Sequence, residues 1–262
     1  MRRRVPLGLF GAALAAAACG AGDSRHAELA PRIRPAYAAL AQEPAHATAE
    51  PAPEPSASTA PSASIVDEIA PLPRGTTVLH IGDSMADALG TALRNELARA
   101  GVRLVTRHRT GSHIPEWGGR FSTVPELVRA YHPDLVLVNL GGNDMMLDDP
   151  TDRVEGIRRI VSYVSGRPCV WIAPPLWAGE NGLLALLREH SRPCRWFDTN
   201  RITPNLPRAR PDPIHPSWPA RTIWAQAVVD WLGHERDPNG PRLWELRPAP
   251  ADEHAIDDDP YD

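Results

Sequence analysis

Between Thr76 and Gly233, short apolar runs alternate with longer stretches whose apolar residues recur at helical spacing. The runs lie at Thr77–Ile81, Arg103–Arg107, Leu135–Leu140, Cys169–Ala173 and Arg195–Asp198, and each has the length of a strand. After the first run, Met85, Leu89, Leu93 and Leu97 form an i, i+4 stripe that Gly101 closes. Val154, Ile157, Ile160, Val161 and Val164 form a second stripe, closed by Gly166. A last helix is expected to start near Ser217 and to present Ile223, Trp224, Ala227, Val228 and Trp231. Strands alternating with helices predict βα units and a parallel sheet. About 160 residues are enough for one full core. The expected fold class is α/β, a three-layer α/β/α sandwich around a flavodoxin-like five-stranded parallel sheet.

The two ends of the chain read differently from the middle. Arg2, Arg3 and Arg4 precede an apolar stretch from Val5 to Ala18, and Cys19 follows. This is the layout of a secretory signal, and it falls short of the ~20 apolar residues of a spanning helix. Residues 1–19 resemble a bacterial signal peptide with a lipobox-like end, Cys19 being the lipid-attachment site. The departure is Ala16, which stands where such motifs prefer leucine; ordinary cleavage that leaves a soluble exported protein is the other reading. Residues 20–73 are rich in Ala, Pro, Ser and Glu and are expected to form a disordered tether with a reach of about 40 Å. The domain is expected at 74–233. Residues 234–262 read as a polar, acidic tail ending in AIDDDPYD, in which Leu243 and Trp244 are the residues able to dock.

Composition narrows the chemistry. The net charge is −4, every basic residue is arginine, and no basic cluster marks the folded part, so a nucleic-acid partner has no footprint. With Cys19 set aside, Cys169 and Cys194 remain as an even pair in matching contexts, RPCVW and RPCRW. In an exported protein they are a possible disulfide between two neighbouring strand starts, or else two buried thiols. There is no C-x-x-C or H-E-x-x-H, and no metal or organic cofactor is expected.

Candidate chemistry sits in the turns after the strands. Ser84, in VLHIGDSMADALG, is either a helix cap, with Asp87 three residues on, or a nucleophile. In an open α/β sheet, ligands bind beyond the carboxyl ends of the strands where strand order reverses. The turns holding Ser84, TGSH (Thr110–His113) and GGND (Gly141–Asp144) would converge there. A serine nucleophile needs a base and the base an orienting group; DPIHP supplies His215 and Asp212. The loop from Thr199 to Asp212 can extend about 43 Å against a required ~14 Å, so it reaches. An oxyanion would find donors in the N–H groups of Ser84 and Gly111 and the amide of Asn143.

Taken together these residues resemble the SGNH (GDSL) hydrolase family. Gly82-Asp83-Ser84 matches the nucleophile block, Gly111 the glycine block, Gly141 with Gly142-Asn143-Asp144 the asparagine block, and Asp212 with His215 the D-x-x-H block. The blocks occur in family order and span the domain; Met85 follows the serine where leucine is commoner. The resemblance implies an α/β/α sandwich that hydrolyses acyl esters through Ser84, without a cofactor. It differs from an α/β-hydrolase in that the serine follows the first strand and Asp212 and His215 share one loop.

The expected substrate is a small-molecule or carbohydrate acyl ester, an acetylated envelope or extracellular polysaccharide among them. Trp117, Trp177 and Trp218 are candidates to stack on sugar rings or simply to pack, and Met145, Met146 and Leu147 to line an acyl pocket or face the core. Acyl transfer from the same site, and a non-catalytic binding lipoprotein, are the alternatives. The expected location is the cell envelope, membrane-anchored through the N-terminal lipid, or else soluble in the periplasm or medium.

Overall fold

The computed structural model describes residues 69–164 and 166–254. The signal segment, Cys19, nearly all of the expected tether and the AIDDDPYD end lie outside the described residues. Five strands, β1 (Thr77–Gly82), β2 (Arg103–His108), β3 (Leu135–Asn139), β4 (Cys169–Ile172) and β5 (Arg195–Phe197), form a parallel sheet in the order β2-β1-β3-β4-β5. Val78 pairs with Leu104 on one side and Leu135 on the other, so the order reverses at β1 and β3. This is the α/β sandwich that the alternation of apolar runs and helical stripes predicts.

Side chains alternate between two cores. Val78, Leu135, Leu137 and Phe197 face α1 (Ser84–Arg99) and α7 (Trp218–Glu235). Leu79, Ile81, Val136 and Val138 face the opposite layer, built from α2 (Ile114–Gly118), α3 (Val124–Tyr131), α4 (Val154–Val164) and α5 (Leu183–His190). A one-turn helix, α6 (Thr199–Ile202), follows β5. The stripe Met85, Leu89, Leu93, Leu97 is the buried face of α1. On α7 the expected face is partly wrong: Trp224 and Val228 are buried with Ala225 and Leu232, whereas Ile223 is 54 % exposed. Apolar residues run around much of this helix, so periodicity alone blurs its inner side.

The packed unit extends past both expected boundaries. Before residue 74, the Ala70 N–H donates to Gly233 O, and Ala70 is buried. After Gly233, α7 runs two residues further, and Trp244 is fully buried with Nε1 donating to Thr76 Oγ1 at 2.9 Å. Leu243 remains exposed. Glu253 and Glu235 both ion-pair with the buried Arg195, at 2.6 and 2.7 Å. The segment to His254 is therefore part of the domain: one tryptophan and one neutralised arginine hold a stretch that its polar composition describes as a tail.

Cys169 and Cys194 form a disulfide between the first residue of β4 and the residue before β5. Their Cα atoms are 4.6 Å apart and 25 residues apart in sequence. Closing a loop of that length restricts the unfolded chain and stabilises the fold by about 2–4 kcal/mol. Reduction, or the double change Cys169→Ser and Cys194→Ser, should lower the urea midpoint accordingly. An unchanged midpoint in reductant would show that the bridge contributes nothing.

Candidate active site

The site begins with the end of β1. A Cβ at Gly82 would lie 1.8 Å from Asn139 O, so only glycine lets β1 and β3 close together here. The chain then turns into α1, and its N-cap is Asp83, not Ser84. The Asp83 carboxylate is fully buried and accepts from Met85 N at 2.8 Å, Gly142 N at 2.9 Å and Gly141 N at 3.2 Å. It thus caps the helix and stitches the β1 turn to the β3 turn. Ser84 is left as the first helical residue, freed from capping, with its N–H among the donors a helix start leaves without an intrahelical partner. Burial pushes the Asp83 carboxyl up to about 6, against the three N–H groups that favour its ionised form.

The β2 turn lies beside it, with Arg109 N donating to Gly82 O at 3.0 Å. Gly111 has φ +75°, the left-handed conformation that glycine adopts without strain. Asn143 donates through Nδ2 to Ser112 O at 2.9 Å, which fixes the orientation of its amide and engages one of its two N–H bonds. Asp144, fully buried, holds the same two turns together: it accepts from Ile114 N at 3.1 Å and from Arg153 Nε at 2.6 Å. The turns carrying Gly111, Asn143 and Ser84 are therefore hydrogen-bonded neighbours.

His215 and Asp212 form a pair in the loop before α7. His215 Nδ1 is 2.7 Å from Asp212 Oδ2, and the other carboxylate oxygen accepts from Ile214 N at 2.8 Å and His215 N at 3.2 Å. Those backbone and imidazole hydrogen bonds hold the Asp212 carboxyl down at about 2. His215 Nε2 is buried and makes no hydrogen bond, so Ser84 and His215 are not joined by one.

Several residues that position this loop were not legible in the sequence. Arg208 donates to Ile214 O at 3.0 Å and also to Leu176 O, bracing the loop against the turn after β4. Ala209 N and Ser217 N close the base of the loop onto His215 O and Pro207 O. Trp177 Nε1 donates to Gly142 O at 2.9 Å. Trp117 is buried with Nε1 on Ser112 Oγ, so two of the three candidate sugar platforms are committed to packing, and Trp218 alone of the three is exposed, at 58 %. Met145 faces the core, and Met146 is exposed. Among the described residues, no three His, Cys, Asp or Glu side chains are grouped to hold a metal ion. No described helix is long and apolar enough to cross a membrane.

No family model matches the chain, and no curated protein matches it. Solved structures do. An acetyl xylan esterase, AlAXEase, superposes with TM-score 0.51 at 13 % identity over 60 % of this chain and 99 % of its own. A lipase/acylhydrolase from Enterococcus faecalis gives 0.46 at 15 % over 63 % and 99 %, and an acetyl esterase variant 0.45 at 13 % over 60 % and 96 %. At these identities the likeness is one of fold.

The raised Asp83 carboxyl has a consequence for stability. A carboxyl whose folded value lies above its unfolded 3.8 stabilises the fold while protonated and loses that contribution as pH rises towards 6. Asp83→Asn should remove this slope: the stability difference, wild type minus variant, is expected to fall between about pH 4 and pH 6. A difference that stays level across that window in urea titrations would refute the assignment.

Proposed function

We propose that the protein is a serine esterase that hydrolyses acyl esters through an acyl-enzyme on Ser84. The observation that carries this reading is the buried, unpartnered Nε2 of His215, on a ring whose Nδ1 is held by Asp212. An imidazole so oriented has one nitrogen free to take a proton. Ser84 Oγ attacks the ester carbonyl and gives its proton to His215 Nε2. The N–H groups of Ser84 and Gly111 and the free N–H of Asn143 receive the oxyanion. Collapse expels the alcohol, which takes the proton from His215. Water, deprotonated by His215, then attacks the acyl-enzyme, releasing the acid and restoring Ser84.

An acetylated polysaccharide is the proposed substrate. Trp218, exposed three residues beyond His215, offers an aromatic face for a sugar ring, and the fold is similar to that of an acetyl xylan esterase. Wild type should hydrolyse p-nitrophenyl acetate and release acetate from acetylated xylan. Ser84→Ala should abolish both activities, and Asn143→Ala should cost roughly 10²–10³ in turnover. Ser84→Ala with wild-type activity would overturn the mechanism; no acetate from polymers, with rapid cleavage of long acyl esters, would redirect the substrate to lipids.

Placement in the cell envelope through lipid on Cys19 completes the proposal. Its support is the basic, apolar and small-residue sequence that precedes the cysteine. Cys19→Ala should move the protein out of the membrane fraction. Equal membrane partition of the variant would argue against lipidation.

A further inference from the structure

The two RPC motifs have no part in ester chemistry, yet they meet at the opposite end of the sheet. Arg167-Pro168-Cys169 leads into β4 and Arg192-Pro193-Cys194 into β5, and the disulfide binds the two motifs together. Both arginines line one cavity of about 650 Å³ at the amino ends of these strands, walled also by Pro168, Pro193, Pro248 and Pro250. The acidic groups nearby are already engaged: Glu245 pairs with Arg242, and Glu235 and Glu253 pair with Arg195. The Arg167 and Arg192 side chains, in contrast, make no hydrogen bond or ion pair among the described residues.

Two permanently charged guanidinium groups lining one proline-walled cavity have no acidic partner among the described residues there, and a bound anion supplies one. The disulfide holds their chains together at fixed spacing. A planar carboxylate has two oxygens and saturates one guanidinium fork, whereas a phosphate group presents enough oxygens to engage two forks at once. We propose that this cavity is a binding site for a phosphate group, clamped between Arg167 and Arg192 and separate from the ester site. The phosphate comes either from a soluble phosphorylated compound or from an anionic lipid headgroup.

The test is calorimetric titration of the full chain with pyrophosphate, so that any competition from its own acidic residues is included in the affinity. Saturable binding is expected, weakened roughly tenfold or more by Arg167→Gln and by Arg192→Gln. Arg→Lys at either position keeps the charge but loses the fork, and is expected to restore only part of the affinity. Thermal melting of each variant checks that the fold is intact. Co-sedimentation with phosphatidylglycerol vesicles, against phosphatidylcholine vesicles, distinguishes the sources. Anionic-vesicle binding that the double Gln variant loses supports a lipid headgroup. Pyrophosphate binding that it loses, with vesicle binding unchanged, supports a soluble phosphate. No binding of pyrophosphate or of anionic vesicles, or binding of both that folded variants retain, would overturn the proposal.

Discussion

One buried carboxylate organises this molecule. Asp83 sits where the sheet changes direction, between the turn after β1 and the turn after β3, and accepts backbone N–H groups from both. An amide of the same size has one acceptor oxygen where the three N–H groups use both carboxyl oxygens, and the position is fully buried. The arrangement is costly, because burial resists the ionised form that the N–H groups favour. Its effect is to hold Ser84 in the first turn of α1, beside the peptide groups of Gly141 and Gly142, without asking Ser84 to cap the helix. A second buried carboxylate, Asp144, repeats the device one turn away and joins the Asn143 turn to the start of α2 and to Arg153.

The rest of the candidate site is anchored less deeply. The Asp212–His215 pair is internally well made, but its loop depends on Arg208 and on two backbone hydrogen bonds at its base. Desolvation pushes the Arg208 guanidinium down, opposed by the nearby Asp212 charge. Ser84 and Asn143 sit on turns tied together by buried carboxylates, whereas His215 sits on a loop braced by Arg208.

The sheet was readable from sequence because its strands are buried on both faces, which makes the apolar runs at Val78, Leu135 and Val170 hard to mistake. The glycines and polar residues that end those strands could be read for the same reason: each interrupts an apolar run. Short helices were not readable, since α2 and α6 span 5 and 4 residues and offer too little periodicity. Nor was the partner of a cap: GDS contains two good N-cap residues, and only the packing of β1 against β3 selects Asp83. Arg208 and Arg153 look like any other surface arginine until the carbonyl and carboxylate they serve are known. The segment after Gly233 reads as a tail because the contacts that hold it involve residues far away in the chain: Trp244 docks on Thr76, and Glu235 and Glu253 pair with Arg195.

The central claim is that Ser84 is a nucleophile activated by His215. Reaction of the full chain with a fluorophosphonate, followed by peptide mass mapping, tests it most directly, because the reagent is attacked by an activated serine and not by a capping one. Stoichiometric modification of Ser84, much slowed in His215→Ala, is the predicted result. An unmodified Ser84, or modification at another serine, would contradict the account.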